Sequence, residues 1–326
     1  MIGQLINYII LSFKFLWQHK WKVTLTVWFA IVFVFILFPM NDLNDLITVQ
    51  VSKLTGRNVF LQFNTMSINP FGPKLTLEKV FVESGSVPTI SADELTVSPS
   101  LMALINKKVE GHVTAQGFLK GDVDIQIKSG PKTDAGLERS KIEIQAKNIN
   151  LKDLRELASL PVSLKGSLNL TTQALVELTF ADQPEGDVNI VISKFEMPSS
   201  SVALADLGRV NLPEMKLGQI ELKGRLAAGK FVIESGKLGN PTDELHGDIK
   251  GDLGLTFQNR GGQIVPLLGG YNIDLNLNAT PAFKERAKFF LGFLDGYKTD
   301  LPNGTVYKFK IRAASAGMSP QFTPLR

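Results

Sequence analysis

One pattern constrains the fold of this chain more than any other. Apolar and polar residues alternate with a period of two, in segment after segment from residue 59 to residue 312. Val59/Leu61/Phe63, Leu75/Leu77, Val123/Ile125/Ile127 and Ile142/Ile144/Ala146 each interleave with polar neighbours. The same holds for Val162/Leu164/Leu168/Leu170, Val176/Leu178/Phe180, Val188/Ile190/Ile192 and Ile220/Leu222/Leu226. "ELHGDIKGDLGLTFQ" (244–258) follows, then Ile273/Leu275/Leu277 set against Asn272/Asp274/Asn276/Asn278. Tyr307/Phe309/Ile311 set against Lys308/Lys310/Arg312 complete the series. Side chains alternate across a strand, so each segment makes a strand with one oily and one wet face. The expectation is a mainly β protein built on a long, twisted, mostly antiparallel sheet.

Turn signals separate the strands: "KSGPKTDAG" (128–136), "ADQPEG" (181–186), "AAG" (227–229), "NPTDE" (240–244) and "PNG" (302–304). Pro131 to Gly136 is the segment best suited to a mobile loop. Helical spacing appears only briefly, over 41–54, Pro99 to Ile105, Leu151 to Leu160, and after a Thr280-Pro281 cap. Such short helices are too small to cover a sheet of a dozen one-sided strands. Either the sheet closes on itself as a sandwich or barrel, or it stays partly open as a groove that acyl chains fill. Leu245, Ile249, Leu253, Leu255, Phe257, Ile273, Leu275 and Leu277 are the groove-lining candidates, on the oily faces of two successive strands. Gly247 and Gly251 lie on the same face, where a missing side chain leaves room for something to approach the backbone.

Val23 to Met40 is eighteen residues without a charge, about 27 Å as a helix and close to the hydrocarbon thickness of a bilayer. No small-x-small cleavage site follows, so the expectation is an uncleaved anchor rather than a signal peptide. Lys14, Lys20 and Lys22 precede it and Asp42 and Asp45 follow, which places the N-terminus on the cytoplasmic side. The expected division is a cytoplasmic amphipathic segment (1–22), a transmembrane helix (23–40) and an exported β-rich domain (41–326). Within the first segment Ile2, Leu5, Ile6, Ile9, Ile10 and Phe13 form a helical stripe, for the inner leaflet or for a partner helix.

Charge argues against nucleic acid. The formal charge is +4, and three of those charges sit in residues 1–40. The remainder balances 32 basic against 31 acidic residues, with no basic tract to grip phosphates. No cysteine is present, which removes disulfides, thiolate metal sites and cysteine nucleophiles. His112 and His246 sit on strand segments without a second ligand at metal-binding spacing. Asp122/Asp124 and Asp248/Asp252 alternate on wet faces, where solvated carboxylates are the expectation. No phosphate loop or nucleophile elbow is present. The reading is a non-enzyme with no cofactor and no metal.

Three passages carry a family resemblance. "LTGRNVFLQFNTMSINPFGPKLTLEKVFV" (54–82) followed by "ISADELTVSPSLMALI" (90–105) resembles the entry module of AsmA-like envelope proteins; Asn106-Lys107 stands where that family often has glycine. "LPEMKLGQIELKGRLAAGKFVIESGKLGNPTDELHGDIKGDLGL" (212–255) resembles the later portion of the type II secretion system protein N family (GspN). The ending "YKFKIRAASAGMSPQFTPLR" resembles the closing strand and tail of both groups. Together the passages cover about a third of the chain, in the same order. The resemblance implies a single-pass inner-membrane protein of a double-membraned bacterium, with its bulk in the periplasm. It implies an accessory scaffold of type II secretion, with other secretion components as partners. The alternative it implies is an AsmA-like lipid-transfer protein, holding phospholipid acyl chains in an apolar β-groove for outer-membrane homeostasis.

Overall fold

The computed structural model describes residues 19–37, 44–54, 59–69, 72–84, 87–106, 108–133, 136–157, 160, 162–204, 208–260 and 263–325. The chain forms two compact units, Met1–Asn44 and Asp45–Arg326. In the first, α1 (Lys20–Leu37) begins with two lysines. Among the described residues no helix is long and apolar enough to cross a membrane. The charge-free part of α1, residues 23–37, rises about 22 Å, short of the ~30 Å hydrocarbon core. Residues 38–40 of the expected span, and residues 1–18 of the amphipathic segment, lie outside the described residues.

The second unit opens with α2 (Asn44–Leu54), whose Thr48 hydroxyl donates to the Leu61 carbonyl at 2.8 Å. The strands that follow are β1 (Val59–Gln62), β2 (Thr65–Asn69), β3 (Lys74–Ser84) and β4 (Val87–Pro99), then helix α3 (Leu101–Ile105). Next come β5 (Gly111–Phe118), β6 (Gly121–Lys132), β7 (Glu138–Asn150), helix α4 (Leu151–Leu157), β8 (Lys165–Val176) and β9 (Glu185–Met197). A small hairpin, β10 (Ser200–Leu204) with β11 (Gly208–Leu212), precedes β12 (Met215–Ala227), β13 (Lys230–Leu238), β14 (Leu245–Arg260) and β15 (Gln263–Ala279). Helices α5 (Pro281–Arg286) and α6 (Lys288–Gly292) then lead to β16 (Lys298–Leu301), β17 (Gly304–Ser315) and β18 (Gln321–Pro324).

All but β10 and β11 join one sixteen-stranded sheet, in the order β1-β3-β4-β5-β6-β7-β8-β9-β12-β13-β14-β15-β17-β16. Strands β2 and β18 complete its two edges, beside β1 on β3 and beside β16 on β17. Every pairing is antiparallel, as period-two alternation joined by short turns dictates. Splitting each edge between two short strands leaves no long unpaired ladder to recruit another chain.

Several sequence expectations change in detail. From Leu245 onward "ELHGDIKGDLGLTFQ" lies within a single long strand, β14, whose pairing shifts register between Leu253 and Leu255. The loop expected at 128–136 is shorter, because β6 runs on to Lys132 with Pro131 lodged in a register shift after Ser129. Leu178 and Phe180 continue the alternation of Val176 but are not strand: β8 ends at Val176, and Phe180 takes a left-handed backbone (φ 57°). The cause is Glu177, whose carboxylate accepts from the Thr179 amide at 3.0 Å and the Ala181 amide at 2.9 Å, turning the chain. The Thr280 cap stands as read, its side chain accepting from the Phe283 amide with Pro281 in the first turn.

Candidate functional site

The alternation of each strand is held in register across the sheet, so the oily residues assemble into continuous rows. One row runs Leu77, Leu95, Ala115, Val123, Ala146, Leu170, Ile190, Leu222, Gly236, Ile249, Leu275, Phe309, each directly paired with the next. A second row passes through Val97, Val113, Ile125, Ile144, Thr172, Val188, Gly224, Ile233, Gly251, Ile273 and Ile311. A third links Ile127, Ile142, Ala174, Gly186, Leu226, Phe231, Leu253 and Tyr271. The opposite face carries Thr76, Thr96, Thr114, Asp124, Gln145, Thr171, Asn189 and Lys223 in the same way. Two chemically distinct surfaces result, one of them almost wholly apolar over a dozen strands.

What covers the apolar face differs along its length. At the end where β14 starts and β15 stops, α5 and α6 close over it. Phe283, Ala287, Leu291 and Leu294 pack there with Leu217, Ile220, Leu245, Ala279, Tyr307 and Phe309. Of the expected groove residues, Leu245 belongs to this buried core, and Leu275 and Leu277 pack against it. Ile249, Leu253 and Ile273 lie farther along and stay half-buried, as do Val113, Ile125, Ile144, Val188 and Leu226 across the sheet. A central strand under a second sheet would bury such residues fully. Leu255 and Phe257 sit beyond the register shift, and the ring of Phe257 lies 5.9 Å from that of Phe180 in the β8–β9 turn.

The strands nearest the N-terminal edge, which no groove expectation covered, line an almost wholly apolar hollow. It measures about 240 Å³ and is walled by Val80, Val82, Ile90, Leu95, Phe118 and Ile125. The alternation of Val123/Ile125/Ile127 signalled its wall; the other walls come from β3, β4 and β5, the three strands that precede β6 in both sequence and sheet order.

Gly247 and Gly251 do mark a close approach, and what approaches is the neighbouring strand. A Cβ on Gly247 would lie 2.0 Å from the Asn276 carbonyl oxygen, and one on Gly251 2.1 Å from that of Asn272. Gly251 also holds φ at +141°, which favours glycine.

The β8–β9 turn is a second feature the alternation conceals. Beyond its Glu177 bonds, Arg139 of β7 pairs with Asp182 and, at 3.3 Å, with Glu185. Gln183 then reaches β14: its Oε1 accepts from the Phe257 amide at 2.8 Å and its Nε2 donates to the Phe257 carbonyl at 3.0 Å.

On the polar face, His112 Nε2 lies 2.7 Å from Asp124 Oδ2, both side chains about half exposed. His246 borders a hollow of about 360 Å³ with Glu221, Lys237, Asn240 and Asp248. Asp274 pairs with Lys310 at 3.2 Å. Among the described residues no group of three or more His, Cys, Asp or Glu side chains is placed to hold a metal ion. Several polar-face groups pair with one another, as His112 does with Asp124 and Asp274 with Lys310, whereas the apolar face has surface left over. The chain matches no protein-family model, no curated protein and no solved structure.

Proposed function

We propose that this chain is a non-enzymatic, membrane-anchored periplasmic protein whose sheet forms an open trough for phospholipid acyl chains. The observation that carries the reading is the set of three apolar rows in register across the sheet, half-buried at their centre. Apolar area on that scale is rare on a soluble surface without something to cover it, and a hydrocarbon chain needs contact without hydrogen bonds. The AsmA-like pattern at 54–82 and 90–105, which includes most of β1 to β4, supports the same reading, as does the charge-free run 23–40 as the anchor.

A second reading rests on residues 212–255. Their GspN-like pattern forms β12, β13 and the first two thirds of β14, three adjacent strands within the sheet. On this reading the sheet is an accessory scaffold of the type II secretion machine, recognised by other secretion components.

Photocrosslinking in living cells tests the first reading on the full-length chain. A benzophenone side chain is placed at Ile125, Ile249 or Leu253 on the apolar face, and at Thr114 or Asn272 on the polar face. Lipid adducts from the first group and not the second are expected. Absence of lipid adducts from all three apolar positions overturns the trough. For the second reading, protein adducts from polar-face positions are identified, and secretion is assayed after gene deletion. Unimpaired secretion removes it.

A further inference from the structure

We infer that the rim of the sheet beside α4 is a headgroup site, selective for a phospholipid that carries an amine. The inference rests on the acyl-chain reading above and adds to it which lipid is taken, and where. Two hollows meet at this rim. The apolar one, about 240 Å³, lies over β3 to β6. The other measures about 270 Å³ and is bordered by Thr89, Lys120, Asp153 and Glu156, with Gly117 and Leu119 of the β5–β6 turn. Ile90 and Ser91 of β4 line both, so the two adjoin.

Strand order explains the junction. At this rim β4 begins, β5 turns into β6, and β7 ends and passes directly into α4. The apolar face therefore stops where α4 presents Asp153 and Glu156, three positions apart and on one side of the helix. A molecule with an oily end and a charged end meets both environments in one place. Whole drug-sized ligands fill ~300–1,000 Å³, so the apolar hollow takes a stretch of one hydrocarbon chain.

The polar hollow carries charges of both signs. Lys120 Nζ lies 3.2 Å from one Asp153 carboxylate oxygen and 3.4 Å from the other. The lysine side chain is 70% exposed and that of Asp153 only 22%, so the cation can swing outward while the carboxylate stays. Glu156 is exposed and forms no ion pair among the described residues. One cation thus faces two carboxylates. A phosphate that engages Lys120 frees Asp153, which with Glu156 then takes an ammonium group. A headgroup with both charges satisfies all three side chains. An anionic headgroup without the amine leaves two carboxylates facing its negative charge.

The backbone sets Lys120 in this position. Leu119 and Lys120 both hold left-handed conformations (φ 47° and 63°), uncommon for residues with a side chain. The Asn150 amide, just ahead of α4, donates to the Leu119 carbonyl at 3.0 Å, and the Lys120 amide to the Gly117 carbonyl at 3.2 Å. Two consecutive strained residues persist only where their surroundings enforce them, and such strain gathers at binding sites.

The test uses the full-length protein in vesicles holding equal parts of ethanolamine-headed and glycerol-headed phospholipid. A benzophenone side chain replaces Phe118, which lines the apolar hollow, or Ile249 at the centre of the sheet. Lipid adducts are sorted by headgroup in a mass spectrometer. The ratio of ethanolamine to glycerol adducts should be at least threefold higher from Phe118 than from Ile249. Asp153→Asn combined with Glu156→Gln should bring the two ratios together. Glu156→Lys should turn the preference at Phe118 toward the glycerol headgroup, with the ratio at Ile249 unchanged. Equal ratios from both positions before any of these substitutions overturn the headgroup site and leave the acyl-chain reading standing. A preference at Phe118 that survives the substitutions overturns it too, as do adducts from Ile249 with none from Phe118. Absence of lipid from both positions defeats the acyl-chain reading and the headgroup site together.

Discussion

Gln183 and Phe257, 74 positions apart, are joined as neighbouring strands would be: one side-chain amide satisfies both the N–H and the C=O of Phe257. The side chain stands in for the strand that β14 lacks once β13 has ended. A paired backbone amide left without its partner costs about 1–3 kcal/mol where water cannot replace it, and less at a partly exposed position such as Phe257. Gln183→Ala is therefore expected to shift the global urea midpoint by less than about 1 kcal/mol. Hydrogen exchange at residues 255–268 should accelerate while exchange in β7 and β8 does not change. A uniform loss of protection across the sheet would show that the two bonds of Gln183 stabilise the whole fold rather than the stretch around Phe257.

Glu177 supplies a pH dependence to the same region. It is 7% exposed, and bonds from the Thr179 hydroxyl and amide hold its carboxyl below the usual carboxylate range. A depressed folded-state value means that the stabilisation is fully present above the unfolded value of about 4.3 and fades as pH falls through the folded one. Gln in its place keeps one acceptor and presents a donor to other donors. Glu177→Gln should cost about 1–3 kcal/mol at pH 7, with the gap to wild type narrowing below about pH 4 in chemical denaturation. A gap constant from pH 7 to pH 3 would assign the loss to shape rather than charge.

Tyr307 is 0% exposed, and its hydroxyl has no hydrogen-bond partner beneath α5 and α6. Burial pushes its phenol above the ordinary value. Removing an unsatisfied buried hydroxyl removes a desolvation cost without opening a large cavity. Tyr307→Phe is expected to leave the melting temperature unchanged or raise it, worth up to about 1 kcal/mol. Phe309→Ala, one register pair along in the same core, should cost about 3–5 kcal/mol. A destabilised Tyr307→Phe would reveal an ordered water held by the hydroxyl.

The sheet was legible because its faces are written locally. Ile142, Ile144 and Ala146 alternate with polar residues whatever strand they later pair with, and that decides face and fold class together. The same rule misled at Leu178 and Phe180, where Glu177 satisfies two amides and removes them from any ladder. It also grouped Leu245 with Leu253, although α5 and α6, more than thirty residues downstream, bury only the first. Gln183 carried no signal at all, because its partner is defined by where β13 stops. The cover over Leu245 and the tie at Phe257 are decided by such long-range contacts, and period-two reading does not reach them.

Gly251 tests how tightly β14 and β15 are drawn together. A methyl group there must displace the Asn272 carbonyl and adopt a φ that L residues rarely hold. Gly251→Ala should cost at least about 2 kcal/mol, with the loss seen in urea denaturation. Gly317→Ala, where an added Cβ meets nothing within 4 Å, should be near neutral. Equal effects at the two positions would mean that the pairing relaxes freely at Gly251.

Leu253→Asp asks whether the apolar face is open at its centre. Leu253 pairs with Phe231 and Tyr271 and stays half-buried. In an open trough the new carboxylate keeps part of its hydration, so the cost is about 1–2 kcal/mol and the domain folds. Phe309→Asp, 2% exposed under the helices, buries an unpaired charge or forces it to take up a proton, at several kcal/mol. Circular dichroism and urea denaturation should therefore find Leu253→Asp folded and Phe309→Asp unfolded. The folded variant should lose lipid crosslinking from Ile249, because a charge now sits two register levels away on the same face. If both variants unfold alike, the centre of the face is a dry core and the acyl-chain reading falls with it.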